Sequence, residues 1–416
     1  MGTRPVAPLA YNPPVTSIDP VAGREAADRC PGVLRLAEAA DGRLARIRLP
    51  GGLVAGGQLR LLARLATELG DGRVELTSRG NVQLRALADG AAVPLTAALT
   101  EAGLLPSLDH DRVRNVLASP LAGLDGGRDL TAIVRALDAA LCARPRLAEL
   151  PGRFLFAIDD GRGDVAGLGA DVVADVRADR VAVNGLAISG PAASGPAASG
   201  AAAVMLACAE AFLDERAALD SAAWRIADLP GGAERVRAAV ARRFGLAPVP
   251  HAPVPVAVAR PVGIVRCPVV AGGEVKQRSV PPDGLDSAAL LAPLGRLTAP
   301  QVTWLADRLG GRPARITPWR SVVLPDQPDA AGTLREAAGL GFGVDDGSPW
   351  LRVTACAGRP GCASALADVQ SDAVAFATRW PERFVHVSGC GRHCGRPAAT
   401  EIDVTATDEG YQVAGV

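Results

Sequence analysis

Four cysteines near the end of the chain have the residue type and spacing of a metal centre. Residues 352–397 read RVTACAGRPGCASALADVQSDAVAFATRWPERFVHVSGCGRHCGRP, so that Cys356 and Cys362 form a C-x5-C pair and Cys390 and Cys394 a C-x3-C pair. Thiolates are ligands for iron–sulfur clusters, zinc and copper(I). Structural zinc sites usually space paired cysteines two to four residues apart, and the first pair here is wider. The spacing therefore favours a 4Fe-4S cluster and leaves zinc as the alternative.

Glycines surround the second cysteine pair. Gly389, Gly391 and Gly395 let the backbone approach the sulfurs and donate N–H groups to them. Unrelated buried cysteines are the remaining interpretation, because free cysteine is often buried. However, half of the eight cysteines in the chain fall within this one stretch, which favours a shared ligand set.

The composition excludes several classes of function. The 416 residues include 44 basic and 44 acidic side chains, a balance that does not indicate nucleic-acid binding. No apolar run reaches the roughly eighteen residues of a membrane span, and the Pro-rich N-terminus lacks the apolar segment of a secretory signal. Eight cysteines without a compact disulfide framework fit a reducing compartment. We therefore expect a cytoplasmic protein without a membrane segment.

The N-terminal third predicts a ferredoxin-like α+β unit. Residues 44–49 predict a strand, 50–57 a glycine-rich turn, 58–69 a helix, 74–87 a second strand and 94–103 a short helix. Further along the chain, residues 204–219 and 233–244 predict helices. The repeated SGPAASG within 187–203 predicts a flexible loop.

The same organisation returns in the second half. The segment VELTSRGNVQL (74–84) aligns without gaps to ARITPWRSVVL (314–324), and residues 152–161 match 382–391 more loosely. This pattern predicts an internal duplication. The paired cysteines occur only in the second copy, since the first has Ala118 and Ser119 at the place of the first cysteine.

The duplication predicts the domain organisation. We expect six segments: a flexible N-terminal arm (1–24), a first ferredoxin-like half-module (25–105), a larger α/β module without a cluster (106–247) that contains the loop 187–203, a Pro-rich linker (248–261), a second ferredoxin-like half-module (262–328) and a cluster-binding α/β module (329–416).

Three motifs resemble a known superfamily. LTSRGNVQLR, RNVLASPLAG and the cysteine set ending in GRP are similar to the sirohaem-dependent sulfite and nitrite reductases, over roughly residues 25–416. The resemblance implies an internally duplicated α+β fold. In it, two ferredoxin-like half-modules pair into one domain, and two larger α/β half-modules are related by a pseudo-twofold axis.

The resemblance also implies site residues. The four paired cysteines would ligate a 4Fe-4S cluster, and Arg79 and Arg114 occupy positions where the reductases have anion-binding arginines. Arg153 lies where a reductase has the first of two lysines, and Leu155 replaces the second. The arginines expected to bind the carboxylates of a tetrapyrrole are Arg79, Arg114, Arg153, Arg320, Arg392 and Arg396, with Arg85 and Arg352 as further candidates.

The replacement by Leu155 decides between two activities. Six-electron reduction of an oxyanion needs cations and proton delivery, and leucine supplies neither. It agrees instead with an apolar ring face at that position. The segment LPGRFLFAIDDG and the short chain are most similar to the precorrin-3B synthases of aerobic cobalamin biosynthesis. This resemblance implies oxygen-dependent hydroxylation of precorrin-3A with lactone formation. A sirohaem-containing sulfite or nitrite reductase is the alternative, and a non-catalytic zinc- or cluster-bearing binding protein is a third interpretation.

The expected cofactors and partners follow from this activity. They are the cluster, a further mononuclear non-haem iron, a tetrapyrrole substrate, dioxygen and an external electron donor such as ferredoxin or an NADH-linked reductase. No nucleotide-binding G-x-G-x-x-G follows a strand. Four histidines, His110, His251, His386 and His393, form no H-x-D/E pair, so the iron ligands are left unassigned.

The spacing makes a direct prediction about iron content. Cys390→Ser should abolish cluster assembly, because each iron of the cluster needs one thiolate. Cys142→Ser and Cys208→Ser, which lie outside the paired set, should leave the iron content unchanged. Iron assays on the purified variants test this, and iron loss in either control would refute the ligand assignment.

Overall fold

The computed structural model describes residues 30–189, 198–249, 261–266, 285–397 and 399–415. These residues form four β-sheets, and helices pack against them. The predicted N-terminal arm (1–24) lies outside the described residues. Among the described residues, no helix combines the length and apolar content that crossing a membrane requires.

The first half of the chain begins with a ferredoxin-like unit. Its elements are β1 (Ala37–Ala39), β2 (Gly42–Ile47), β3 (Leu53–Val54), α1 (Gly56–Leu69), β4 (Arg73–Leu76), β5 (Val82–Leu87) and α2 (Ala92–Glu101). The single strand predicted over 74–87 is wrong, because β4 and β5 form a hairpin. The Thr77 carbonyl accepts the Gly80 N–H (3.1 Å), and Gly80 adopts a φ of 64° that closes the turn.

A larger α/β module follows. Its elements are β6 (Val116–Ala118), α3 (Thr131–Cys142), β7 (Phe156–Asp159), β8 (Val172–Asp175), β9 (Arg180–Val183), β10 (Leu186–Ser189), α4 (Ala198–Ala218), α5 (Gly232–Phe244) and β11 (Ala247–Val249). The sheet order is β11-β10-β9-β8-β7-β6, with β6, β7 and β8 parallel.

Two predicted irregular segments are shorter than expected. Within the predicted loop 187–203, β10 continues to Ser189 and α4 begins at Ala198, because alanine favours helix; residues 190–197 lie outside the described residues. The predicted linker 248–261 begins inside β11, which pairs with β10. Residues 250–260 also lie outside the described residues.

The second ferredoxin-like unit repeats the first. Its elements are β12 (Gly263–Val265), β13 (Ser287–Leu291), β14 (Arg296–Thr298), α6 (Ala299–Asp307), β15 (Ala314–Ile316), β16 (Ser321–Leu324) and α7 (Ala330–Gly339). Ala337 of α7 and the following Phe342 lie in the same apolar core as these strands. The boundary predicted at residue 328 is therefore too early, since the unit includes α7.

The last module is the smallest. Its elements are β17 (Val353–Ala355), α8 (Val369–Arg379), β18 (Val385–Ser388), β19 (Ile402–Thr407) and β20 (Gly410–Ala414), in the sheet order β17-β18-β19-β20. The first three strands are parallel and β20 returns antiparallel, the arrangement also seen for β6 to β9.

The two ferredoxin-like units exchange strands. β14 of the second unit pairs with β4 of the first, and β3 of the first unit pairs with β15 of the second. Helices α1 and α6 pack against each other, and one apolar core joins residues of both units, Leu62 and Leu305 among them. The two units therefore form one domain, as the fold expected from the resemblance requires.

Backbone hydrogen bonds fix how the two α/β modules correspond. The Ser119 N–H donates to the Ile158 carbonyl (3.1 Å), as the Cys356 N–H donates to the Val387 carbonyl (3.0 Å). The Leu155 carbonyl accepts two consecutive N–H groups at the start of β8, and the Phe384 carbonyl accepts two at the start of β19. Ser119 thus corresponds to Cys356. The loose sequence match, which placed Leu155 opposite Val385 instead of Phe384, was wrong by one residue.

The shared core makes a prediction about stability. Leu62 of α1 is fully buried between the two units. Leu62→Ala should lower the free energy of unfolding by about 2–5 kcal/mol, because it removes buried methyl groups and leaves a cavity. Val93→Ala on α2, where Val93 is 77% exposed, should change it by less than about 0.5 kcal/mol. Denaturant unfolding of both variants tests this, and equal effects would contradict the shared core.

Candidate metal centre and its arginine-rich face

The two cysteine pairs begin at the same edge of one sheet. Cys356 directly follows β17, and Cys390 lies two residues after β18. β17 and β18 are adjacent and parallel, so their carboxyl ends open toward the same side. Helix α8 lies between these two strands in the sequence and packs against both of them.

Gly389 links the two cysteine loops. Its N–H donates to the Cys356 Sγ (3.1 Å), and its carbonyl accepts the Leu366 N–H (2.7 Å). A side chain at Gly389 would place its Cβ 2.7 Å from the Ala365 Cβ and 3.6 Å from the Cys356 Sγ. An N–H···S bond stabilises a thiolate, which is the form of cysteine that binds metal. Glycine is therefore required here by space as well as by the hydrogen bond.

The paired cysteines differ from the other thiols in exposure. Cys356, Cys362 and Cys390 are half-buried and Cys394 is exposed, and all described cysteines are free of disulfide bonds. By contrast, Cys208 lies in the core, and burial raises its pKa to about 12, which keeps it protonated. The loop cysteines thus have the accessibility that a ligand set needs.

In the part of the chain that the structure describes, the four thiols do not form a group of ligand atoms within 4.8 Å of one another. Among the described residues, one group of three carboxylates, Asp159, Asp160 and Asp164, brings His, Cys, Asp or Glu ligand atoms within 4.8 Å of one another. A tetrahedral zinc ion needs four such close ligands, whereas a 4Fe-4S cluster takes one thiolate at each iron. Four thiols are the donor type that either a cluster or a zinc ion requires, and the residues present fit both.

One face of the first sheet carries arginines, and one of them, Arg85, contacts the loop that carries Cys362. In β2, Ala45 and Ile47 face the apolar core, so Arg46 and Arg48 lie on the opposite face. On the same face, Arg85 pairs with Asp41 (3.0 Å), and its Nη2 donates to the Gly361 carbonyl (3.0 Å). This contact joins the arginine face of the first unit to the cysteine loop of the last module.

Arg46 and Arg48, together with Arg79 in the β4–β5 turn, have no carboxylate in direct contact, although a nearby acid acts on each of them. Arg46, Arg48 and Arg79 form no ion pair within the described part of the chain; Arg48 donates only to the carbonyls of Pro31 and Arg112. Burial, followed by the charge of Arg46, lowers the pKa of Arg48 to about 9, and burial with Arg225 lowers that of Arg79 to about 10. Partly or fully buried guanidinium groups that lack a direct ion pair favour binding of an anion.

Arg46 and Arg48 were not among the arginines predicted to bind a ligand. Their signal was the alternation in LARIRL, where two arginines share one face of a strand whose other face is apolar. Arg79, by contrast, was predicted, and the structure brings it within electrostatic range of Arg46 and Arg48.

Three other predicted arginines contact other parts of the protein. Arg114 is 3% exposed, and its Nε and Nη2 both donate to the Asp138 carboxylate (2.7 Å each). The structure therefore gives it a buried ion pair with Asp138, and Arg114 lines the same cavity as Arg48. Arg153 stacks over Trp224, with 4.8 Å from its Cζ to the ring centroid, and Arg320 packs over Gly295.

The remaining candidates lie beside the cysteines. Arg392 is exposed, and Arg396 donates to Asp403 Oδ2 (2.8 Å). His386 is fully buried with its Nδ1 2.8 Å from Thr354 Oγ1, and burial lowers its pKa to about 4, so the ring is neutral at pH 7. Its Nε2 has no hydrogen-bond partner among the described residues.

Leu155 does not form the apolar surface expected for a ring. It is 3% exposed and lies in a buried apolar cluster with Ala157 and Trp319. The Trp319 side chain, which belongs to the second half of the chain, therefore packs in the same cluster and covers Leu155. The expectation of an apolar ring face at Leu155 is therefore wrong, whereas the absence of a cation at this residue stands.

Comparisons with known proteins agree with this fold. Residues 37–102 match the nitrite/sulfite reductase ferredoxin-like half domain. The structure of the Mycobacterium tuberculosis NirA protein superimposes with a TM-score of 0.64 at 21% identity, covering 89% of this chain and 73% of that one. The chain therefore has the fold of the nitrite/sulfite reductase superfamily, as predicted.

Two curated relatives narrow the resemblance. A precorrin-3B synthase of Sinorhizobium sp. is 28% identical over 398 residues, which cover 92% of this chain and 81% of the relative. A ferredoxin–nitrite reductase of Synechococcus elongatus is 27% identical, covering 90% of this chain and 78% of the relative. Within the superfamily the chain resembles precorrin-3B synthase, and it shares a similar degree of identity with the nitrite reductase.

The glycine contact makes a prediction about the metal centre. Gly389→Ala should sharply reduce iron bound by the purified protein, since the methyl group collides with Ala365 and displaces the N–H from Cys356. Gly391→Ala is the matched control, because a Cβ there meets no atom within 4 Å. Equal iron content in the two variants would contradict the role given to Gly389.

Proposed function

We propose that the chain is a precorrin-3B synthase, which hydroxylates precorrin-3A with dioxygen and closes a lactone. The observation that carries this proposal is the group of arginines without a direct ion pair among the described residues, Arg46, Arg48 and Arg79, in the domain that contacts the cysteine loop through Arg85. A precorrin is a large ring edged by acetate and propionate groups, so its site needs several cations near a redox centre.

The arginine face binds the rim of the ring. Each guanidinium presents a fork of N–H donors that matches a carboxylate. Arg46 already donates to Gln83 (3.1 Å), which fixes its direction across the sheet, and Arg85 is fixed by Asp41. Prior fixing of the donors lowers the entropic cost of orienting the substrate.

Within the described ranges, one of the two duplicated sheets carries the arginine face. The corresponding face of the second ferredoxin-like unit carries Ala289 and Val323, which are buried against Leu124 and Val265. Arg315 on that face is occupied by the carbonyls of Pro120 and Ala122 (2.8 and 2.6 Å). One substrate site per chain therefore follows.

The cysteine set is proposed to hold a 4Fe-4S cluster through Cys356, Cys362, Cys390 and Cys394. When bound, such a cluster supplies electrons one at a time. The protein contributes the N–H of Gly389 to one sulfur and half-buries three of the four thiols, which limits water at the centre. Hydroxylation consumes two electrons and two protons, with one oxygen atom leaving as water, so an external donor such as ferredoxin or an NADH-linked reductase is required.

The further iron expected for oxygen activation has no assigned ligands. His110 is held by Ser107 and the Arg144 carbonyl, and His393 by Asp403. Across the described ranges, no two histidines and a carboxylate come within single-ion distance, and His251 lies outside them.

A sirohaem-dependent nitrite reductase is the second candidate, favoured by the similarity to the Synechococcus enzyme. The buried Leu155 counts against it, because no cation stands there to neutralise a bound oxyanion. Both candidates are enzymes of the oxidoreductase type, and bound sirohaem distinguishes them.

Substrate turnover tests the proposal. Anaerobically purified protein, supplied with precorrin-3A, an electron donor and ¹⁸O₂, should yield a product that carries ¹⁸O. Arg46→Met should raise the KM for precorrin-3A by about ten- to a hundred-fold, the cost of a lost charge-assisted hydrogen bond of about 1.5–3 kcal/mol.

Arg43→Met is the matched control on the same strand. Arg43 pairs with Asp89 (2.7 Å) at the edge of the sheet and should leave KM unchanged. Reduction of nitrite without conversion of precorrin-3A would overturn the proposed function. Equal KM values for the two variants would remove Arg46 from the site.

A further inference from the structure

A row of polar side chains crosses the cysteine-bearing sheet. Thr354, His386 and Asp403 occupy the same register on β17, β18 and β19. Their neighbours Val353, Val385 and Ile402 lie in the apolar core against α8, so the polar row is on the opposite face. The Thr354 hydroxyl lies 2.8 Å from His386 Nδ1, which makes the row continuous across its first two strands.

The duplicated module provides an internal comparison. At the corresponding register of β6, β7 and β8 it has Leu117, Ala157 and Val173, all in a buried apolar cluster. The polar row is therefore confined to the module that carries the paired cysteines. Because the backbone arrangement is shared, the sheet itself does not require polar residues there.

Asp403 extends the row into the second cysteine loop. Its Oδ2 accepts from Arg396 Nε at 2.8 Å and lies 3.1 Å from His393 Nδ1. Those two residues flank Cys394, one before it and one two positions after it. The Asp403 side chain is only 16% exposed, whereas His393 and Arg396 are 38% and 43% exposed. The loop is thus tied to a buried point on the sheet.

The backbone hydrogen bonds inside the C-x3-C loop are local and do not connect it to the sheet. Within the loop, the Cys390 carbonyl accepts the His393 N–H (3.4 Å) and the His393 carbonyl accepts the Arg396 N–H (3.2 Å), both local contacts. His393 has a φ of 47°, a left-handed conformation that a residue with a side chain adopts only at an energetic cost. The bond from His393 to Asp403 holds this conformation against relaxation.

We infer that Asp403 is the positioning residue for Cys394: by binding His393 and Arg396, it fixes the C-x3-C loop so that Cys394 meets the cluster. The inference rests on the proposed function in one respect, the ligation of a cluster by the four cysteines. It adds a residue outside the ligand set that controls how firmly the cluster is held.

Cluster retention in the full chain tests this. Asp403→Asn keeps the shape and one acceptor oxygen, and Asp403→Ala removes both bonds. Anaerobically purified proteins are assayed for iron and acid-labile sulfide, for the electron paramagnetic resonance spectrum of the reduced cluster, and for the rate of iron release to a chelator. We expect at least five-fold faster release in Asp403→Ala, a smaller increase in Asp403→Asn, and a changed spectrum in both.

Glu401→Gln is the matched control. Glu401 immediately precedes β19 and pairs with Arg383 (3.2 Å), which lies away from the cysteine loops. It should release iron at the wild-type rate with an unchanged spectrum. Equal release by wild type and both Asp403 variants would overturn the inference, as would the same acceleration in Glu401→Gln, which would indicate general loosening. Wild-type protein without iron and sulfide would instead refute the proposed cluster itself.

Discussion

The exchange of β3 and β14 between the two ferredoxin-like units is the constraint on which the rest of the structure depends. It locks both sheets around a common core of helices α1 and α6, so that each sheet has one face committed to that core. The opposite faces must then meet the α/β modules. Arg85 makes this contact on the first sheet by bonding Gly361, and Arg315 makes it on the second through Pro120 and Ala122. The position of the cysteine loops relative to the arginines follows from this exchange.

Duplication supplied two equivalent surfaces, and the side chains made them different. The second ferredoxin-like sheet closes against the first α/β module with apolar residues and Arg315, while the first sheet carries Arg46 and Arg48 without a direct ion pair among the described residues. In the α/β modules, Ser119 bonds to Asp164 where the equivalent Cys356 receives the Gly389 N–H. Charge without a direct partner is unfavourable for folding, and this difference between the copies is the basis of the binding site proposed above.

The sequence allowed prediction of the features that depend on local pattern. Cysteine spacing predicted a metal centre and the repeat of 74–84 in 314–324 an internal duplication, because both are short-range signals. The superfamily fold was implied by the resemblance of LTSRGNVQLR, RNVLASPLAG and the cysteine set. Long-range pairing could not be predicted: β3 has two residues, too few for a strand signal, and its partner lies in the other half of the chain. Arg114 and Arg79 looked alike in sequence, and only the structure shows that Arg114 pairs with Asp138 while Arg79 donates to the Gly152 carbonyl. The one-residue error between the α/β modules arose because apolar strands align almost equally well in neighbouring registers.

The most direct test of the account is the absorption spectrum of anaerobically purified protein, with iron and acid-labile sulfide measured on the same sample. The account predicts broad cluster absorption, at least about four iron and four sulfide per chain, and no sirohaem bands. Strong sirohaem bands would contradict a tetrapyrrole substrate and support the reductase. Zinc without sulfide would contradict both activities and leave the cysteines as a structural site.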